Sequence, residues 1–214
     1  MENYSNNDNS FEKYYKDGVN CYNNKQYEEA LNTFNKAMEL NPNHAKIYLY
    51  MGVSKLLLDR KEEAILDFSK AIELDPGYSK FYFYRGVCEM VLKMKEEAMS
   101  DFDKAIELDS NYAKAYFYRG IFKSSLNMKE EAVSDFNKAI ELNSDYSEVY
   151  YHRGFSKLKL DKKDESIEDF NKILELNPND AFAYFIRGNI KKDLNKNDEA
   201  QKDFEKYEEL KKEI

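Results

Sequence analysis

Glycine recurs along this chain at a fixed interval of 34 residues. Six of the seven glycines keep that interval: Gly18, Gly52, Gly86, Gly120, Gly154 and Gly188. The three prolines, Pro42, Pro76 and Pro178, each lie 24 residues after one of these glycines. A period in this range is typical of proteins built by stacking small similar units. The sequence therefore predicts such a stack, and its function is expected on an exposed face rather than in an enclosed catalytic pocket.

Six units cover the chain from residue 11 onward without an insertion. With the glycine at position 8, they are 11–44, 45–78, 79–112, 113–146, 147–180 and 181–214. Position 4 is always Tyr and position 24 is always Phe. Positions 3, 4, 7, 10 and 14, and again 20, 24, 27 and 28, keep helical spacing, and most of these positions are apolar in most units. Each unit is therefore predicted to form two antiparallel helices, called here helix A and helix B.

A glycine inside helix A costs about 1 kcal/mol relative to alanine, so it should have a packing reason. We expect position 8 to face the small residue at position 20 of helix B, which would let the two helices nearly touch. The aromatic residues at positions 4 and 24 would then fill the space beside that contact.

The repeat resembles the tetratricopeptide repeat over the whole range from Phe11 to the end. The resemblance rests on Tyr at position 4, Gly at 8, Ala at 20, Phe at 24, Ala at 27 and Pro at 32. Departures occur at Ser110 and Ser144 (position 32) and at Ile173 and Tyr207 (position 27). The resemblance implies an all-α solenoid, a right-handed superhelix of six helix-turn-helix repeats whose A helices line a concave groove. It also implies that the chain is a scaffold or adaptor that binds a protein or an extended peptide or helix, and is not an enzyme.

In that family, positions 2, 5, 6, 9, 12 and 13 of helix A face the groove. The residues expected to form the partner-binding groove here are Lys46, Leu49, Tyr50, Val53, Lys80, Phe83, Tyr84, Val87, Lys114, Phe117, Tyr118, Ile121, Tyr151, His152 and Phe155. Phe182, Phe185 and Ile186 continue this apolar and aromatic stripe in the last unit. Monomeric proteins seldom expose such a stripe without a partner. The alternative is that positions 5 and 9 mostly pack against neighbouring A helices.

Two further hypotheses concern this groove. Lys46, Lys80 and Lys114 share position 2 of consecutive units, flanked by Glu12 and Glu148. They would form a row that receives an acidic segment or a chain-terminal carboxylate, or else they are simply solvated.

Replacing Tyr84 and Tyr118 by alanine is expected to abolish partner binding and leave the fold largely intact. The competing function is structural self-assembly, in which the groove binds another copy of the chain.

Charged residues at positions 7 and 23 suggest ion pairs. Position 7 is arginine in the last four units, and position 23 is aspartate in the last five. Arginine appears wherever the preceding unit has aspartate, whereas Met51 follows a unit with Thr33. We therefore expect each arginine to pair with the aspartate of the preceding unit, as Arg85 with Asp67. The alternative is a copied ancestral unit in which these residues do not touch.

Charge, hydropathy and cysteine content exclude several classes of protein. A net charge of −8 argues against a nucleic-acid surface, and no apolar run is long enough to span a membrane. Residues 1–10 lack the features of a secretory signal and are expected to form a disordered tail. Cys21 and Cys88 occupy different repeat positions, which favours free thiols and a cytoplasmic location.

No residue set indicates catalysis or metal binding. His44 and His152 each lack a second histidine or cysteine at ligand spacing. No catalytic residue, metal or cofactor is therefore expected. In the last unit, Gln201 and Glu208 replace apolar residues at positions 21 and 28, so that 181–214 is expected to act as a C-terminal cap with a polar outer face.

Overall fold

The computed structural model is helical, and it describes the backbone of residues 2–212 and the side chains of residues 10–212. Twelve helices follow one another, and the described residues form no strand. They are α1 (Glu2–Asn23), α2 (Tyr27–Leu40), α3 (Ala45–Leu57), α4 (Lys61–Leu74), α5 (Ser79–Val91), α6 (Lys95–Leu108), α7 (Ala113–Ser125), α8 (Lys129–Leu142), α9 (Ser147–Lys159), α10 (Lys163–Leu176), α11 (Ala181–Asp193) and α12 (Asn197–Lys211). The odd-numbered helices are the A helices and the even-numbered ones the B helices, which confirms the prediction of six helical hairpins.

The hairpins fall into two compact parts, residues 1–110 and residues 111–214. In the first part, α1–α6 pack in chain order, and the A helices α1 with α3 and α3 with α5 also touch. In the second part, α7–α12 pack in the same order, and α7 also contacts α9. Each part is therefore a short α-solenoid of three hairpins, in which each hairpin packs on its neighbours.

The N-terminal residues differ from the prediction. The sequence predicts a disordered tail over residues 1–10, but α1 begins at Glu2. Residues 2–10 contain neither glycine nor proline, so nothing in them ends helix A of the first hairpin. Adding residues to a helix that has already formed requires no new nucleation, and nucleation is the costly step in helix formation. Met1 lies outside the described residues.

The turn between helix A and helix B has one backbone conformation in all six hairpins. Position 15 has a positive φ of 57° to 66° in every case, although none of these residues is glycine: Lys25, Asp59, Lys93, Asn127, Asp161 and Asn195. In the second hairpin the Arg60 N–H donates to the Lys55 carbonyl at 2.8 Å, and the Asp59 N–H to the Leu56 carbonyl at 3.1 Å. The left-handed residue therefore turns the chain so that two N–H groups beyond helix A donate to carbonyls of its last turn.

The glycines of helix A leave room for the phenyl ring at position 24. A Cβ added to Gly52 would lie 2.6 Å from a ring carbon of Phe68, and one added to Gly120 would lie 2.6 Å from a ring carbon of Phe136. Both rings are fully buried. The ring at position 24 is thus the nearest side chain to the glycine, while position 20 also lies beside it, as in the fifth hairpin, where Ser166 Oγ donates to the Gly154 carbonyl at 2.9 Å.

Replacing Gly120 by alanine should lower the free energy of unfolding by up to about 2 kcal/mol. Overpacking a core costs about 1 to 3 kcal/mol, and alanine returns about 1 kcal/mol of helix propensity. Urea denaturation measures the difference. Gly77→Ala is the matched control, because its Cβ would meet only Asp75 Oδ1 at 3.5 Å. Equal stability of the two variants would show that the Phe136 ring does not need the glycine.

Candidate functional site

The predicted groove residues divide into buried and accessible groups. Leu49, Val53, Phe83 and Phe117 are buried. They are core residues, which corrects the prediction for these four and agrees with the alternative that positions 5 and 9 pack between helices. Exposed members are Lys46, Lys80, Lys114, His152 and Phe155, and half-buried members are Tyr50, Tyr84, Val87, Tyr118, Ile121 and Tyr151. Only the exposed and half-buried members can contact a partner without a change in packing.

Aromatic residues at position 6 pack on the phenylalanine of the preceding hairpin. The ring centroids of Tyr50 and Phe34 are 5.5 Å apart, and those of Tyr84 and Phe68 are 5.8 Å apart, with nearly parallel planes. Such contacts stabilise the core beyond the area they bury. Tyr84→Ala would therefore remove a packing contact as well as a surface group, so the double Tyr84 and Tyr118 variant would not separate binding from stability.

A pocket opens on the A helices of the second part. It is lined by Glu148, Tyr151, His152 and Phe155 of α9 and by Phe182 of α11, and its volume is about 360 Å³. The structure thus brings together three residues of the predicted groove set, one residue of the continuing stripe, and Glu148. Sequence reasoning missed Glu148 as a lining residue, although the change from Lys to Glu at position 2 was a visible signal.

The walls of this pocket are aromatic and open to water. The Tyr151 and Phe182 rings are stacked with centroids 6.2 Å apart, while Phe155 meets the buried Phe170 ring edge-on at 5.7 Å. Phe155 remains 38% exposed and Phe182 53% exposed. Phe170 of helix B therefore supports one wall from behind, and the front faces solvent.

The pocket carries one negative charge at neutral pH. One side of the His152 ring lies against Phe117, with centroids 5.4 Å apart. The loss of water there lowers the pKa of His152 below its usual 6.5 although the side chain is partly exposed. Burial, followed by a hydrogen bond to Asp180, raises the pKa of Tyr151 above its usual 10.0. The imidazole and the phenol are therefore uncharged, and Glu148 is the only charged residue among the five that line the pocket.

Ion pairs at positions 7 and 23 join the two helices of one hairpin. The pairs are Arg85 with Asp101, Arg119 with Asp135, Arg153 with Asp169 and Arg187 with Asp203. The prediction that each arginine pairs with the aspartate of the preceding hairpin is therefore wrong. The physical reason is the contact between positions 8 and 24, which places their neighbours 7 and 23 opposite each other.

Lysine at position 11 supplies a second cation to the same aspartate. Lys123 lies 2.8 Å from Asp135 and Lys191 lies 3.0 Å from Asp203. In the second hairpin, where Met51 replaces the arginine, Lys55 alone pairs with Asp67, at 2.7 Å. The third hairpin departs from this rule, because the buried Glu89 occupies position 11 beside Asp101.

Arginine does reach the preceding hairpin, but through a different residue. Nη1 of Arg153 donates to Asn137 Oδ1 at 2.7 Å, and Nη1 of Arg187 donates to Asn171 Oδ1 at 2.7 Å. Arg85 bonds Ser69 Oγ in the same way at 3.1 Å. All three acceptors occupy position 25, so that each of these guanidinium groups bridges two successive B helices.

The remaining histidine and the two cysteines do not form a reactive site among the described side chains. Among the described side chains, no three His, Cys, Asp or Glu residues are placed to hold a metal ion. His44 precedes α3 and packs against the rings of Phe11 and Tyr15. Cys21 and Cys88 are free thiols, and burial raises the pKa of Cys88 to about 12, so that its thiol is a poor nucleophile at neutral pH. No helix in the described part of the chain is long and apolar enough to cross a membrane.

Comparison with protein families identifies the repeat. Models described as tetratricopeptide repeat match residues 45–78, 80–112, 113–146, 147–180 and 170–202, and a model described as TPR repeat matches residues 18–59. These matches cover most of the chain. A search of curated proteins finds no match.

Several solved structures share the fold. PilF of Pseudomonas aeruginosa is 17% identical, with a TM-score of 0.80, over 98% of this chain and 100% of that chain. MamA (41-end) from Desulfovibrio magneticus RS-1 is 20% identical, with a TM-score of 0.72, over 80% of this chain and 97% of that chain. YrrB, described as a TPR protein with an unusual peptide-binding site, is 24% identical, with a TM-score of 0.70, over 83% of this chain and 91% of that chain. At these identities the likeness concerns the fold alone.

Proposed function

Because the chain belongs to the tetratricopeptide repeat family, we propose that it is a non-enzymatic scaffold that binds a protein partner on its A helices. The ligand is an extended peptide or a helix of that partner. One observation carries the proposal: Phe155 and Phe182 stay 38% and 53% exposed around an open pocket of about 360 Å³.

Exposed aromatic rings of this kind favour an interface. Each Å² of apolar surface removed from water contributes about 25 cal/mol, and aromatic side chains are the usual anchors of protein interfaces. Phe185 adds a third ring on α11 that is 38% exposed. The peptide-binding site ascribed to YrrB is consistent with a peptide ligand here.

The lysines at position 2 would contact a second group of the partner. Lys46 on α3 and Lys80 on α5 are exposed at equivalent places in the first part, and Lys114 has the same position on α7. An acidic segment or a chain-terminal carboxylate fits the two lysines of the first part, because their positive charges attract it and steer its approach.

Replacing Phe155 and Phe182 by alanine should weaken peptide binding by about tenfold or more. Each substitution also removes one ring contact, to Phe170 and to Tyr151, so circular dichroism first establishes that the variant is folded. Peptides would be selected from a random displayed library against the parent protein and their affinities measured by fluorescence anisotropy. Leu176→Ala on α10 is the control, since Leu176 is also exposed, at 36%, but lies on a B helix. Peptides that bind the double variant as tightly as the parent would contradict the proposed surface.

Self-assembly through the same rings would give a different result. The mass measured by light scattering would then rise with protein concentration in the parent and not in the Phe155 and Phe182 variant. A constant monomer mass together with peptide binding supports the scaffold function over self-assembly.

A further inference from the structure

The pocket on α9 and α11 departs from the repeat at three lining positions. Position 2 changes from Lys46, Lys80 and Lys114 to Glu148. Position 9 changes from valine or isoleucine to Phe155, and position 2 of the last hairpin is Phe182. Each change replaces a basic or aliphatic side chain by an acidic or aromatic one. The fifth hairpin therefore has a surface chemistry that the three hairpins before it lack.

Aromatic faces beside a carboxylate suit a cationic ligand group. A guanidinium or ammonium group over a phenyl ring is attracted by the negative face of the ring, and a guanidinium also stacks flat on aromatic rings. The aliphatic stem of such a side chain can lie on Phe155 and Phe182 while its charge approaches the exposed Glu148. None of the five lining residues carries a positive charge that would oppose it.

Other side chains fit this pocket less well. An acidic side chain would meet the Glu148 carboxylate and be repelled. An uncharged apolar side chain would cover the rings but would take water from Glu148 without giving it a partner. The net charge of −8 also favours the approach of a basic segment.

From this charge and shape we infer that the pocket binds an arginine or lysine side chain of the partner peptide. The inference rests on the proposed function, since it names the chemistry of one residue in the proposed ligand.

Small capped amino acids test the pocket without any knowledge of the partner. N-acetyl arginine amide and N-acetyl lysine amide would be titrated into the full chain while the aromatic NMR signals of Phe155 and Phe182 are followed. N-acetyl citrulline amide is the matched neutral control for arginine, and N-acetyl glutamate amide is the acidic control. Saturable shifts with arginine or lysine, and binding of citrulline weaker by about tenfold, are expected.

A variant of Glu148 completes the test. Glu148→Gln should weaken arginine binding by about fivefold, whereas Glu168→Gln, the same change at an exposed site on α10, should leave it unchanged. Equal binding of arginine and citrulline, preferred binding of glutamate, absence of saturable shifts, or no effect of Glu148→Gln would each overturn the inference.

The outcomes also separate this inference from the proposed function. If displayed peptides bind through Phe155 and Phe182 but capped arginine does not, the scaffold function stands and the basic-residue pocket is wrong. If capped arginine binds but no displayed peptide is selected, the pocket stands and the scaffold function is wrong.

Discussion

Replacing Asp169 by asparagine should lower the free energy of unfolding by about 3 kcal/mol. Asp169 is 1% exposed, and its carboxylate lies 3.0 Å from Nε of Arg153 and 3.1 Å from Nζ of Lys157. Lys157 is itself buried. Removing the negative charge would leave this lysine in a low-dielectric site without its nearest carboxylate, since Glu165 offers only a carbonyl at 3.3 Å and a carboxylate oxygen at 3.8 Å. Removing one partner is the costly way to break a buried ion pair.

The neighbouring residue supplies the control for this variant. Glu168→Gln removes the same charge from the same helix at an exposed position and should change stability by about 0.5 kcal/mol at most. Urea denaturation followed by circular dichroism measures both. If Asp169→Asn and Glu168→Gln are equally stable, the buried pair contributes no more than a surface charge.

The second large effect concerns Glu89 and pH. Glu89 is 5% exposed and occupies the position where the flanking hairpins have lysine. Burial first, and then the neighbouring Asp101 carboxylate, raise the pKa of Glu89 to about 7, against a lowering effect of Arg85. Glu97 adds a further negative charge. The third hairpin therefore holds a carboxyl group that favours its protonated form.

The sign of the pH effect follows from this shift. In the folded chain Glu89 stays protonated up to a pH of about 7, whereas in the unfolded chain it loses its proton near the usual glutamate pKa of 4.5. The folded state thus binds more protons between these values, so that the free energy of unfolding falls as the pH rises through this window. The loss should amount to about 3 kcal/mol.

Two variants isolate this contribution. Glu89→Gln should be less pH-dependent than the parent between pH 4.5 and 7, and Glu89→Lys should restore the cation found in the flanking hairpins and exceed the parent in stability above pH 7 by about 2 to 3 kcal/mol. The measured quantity is the difference between parent and variant, in which the titration of groups that do not interact with Glu89 cancels. A difference that does not vary with pH would contradict the raised pKa.

The architecture could be predicted because one period governs it. Glycine, tyrosine and phenylalanine at fixed positions predict twelve helices in six hairpins, and the structure confirms this. The backbone of residues 2–10 could not be predicted from composition alone, since polar residues without glycine or proline can either fray or continue a helix. The choice depends on the helix that follows them.

The partner of each arginine could not be read from the periodic pattern. The pattern allows Arg85 to pair within its hairpin or with the preceding one, since both aspartates recur every 34 residues. The absence of arginine at Met51 pointed to the preceding hairpin. The structure shows instead that Asp67 keeps only the lysine at position 11, Lys55, whereas the aspartates of the last three hairpins have an arginine as well as that lysine.

Only some of the residues that line the candidate pocket could be predicted from the sequence. Helical spacing places positions 5 and 9 near the groove but does not decide whether a neighbouring helix covers them. Leu49 and Phe83 are covered, whereas Phe155 is not. Glu148 gives the pocket its charge. It differs from the lysine found at the same position in the three preceding units, so the features that the units share do not reveal it.

The bridging arginines set how tightly adjacent hairpins are coupled. In a linear array, stability is the sum of what each unit contributes alone and what each junction adds. The guanidinium groups of Arg153 and Arg187 bond helix B of their own hairpin and helix B of the preceding one. Each therefore stabilises both its own unit and the junction with the preceding unit. The first junction has Met51 instead and lacks this bridge. Loss of structure should therefore begin at the N-terminal hairpin and advance toward the junctions that arginine holds.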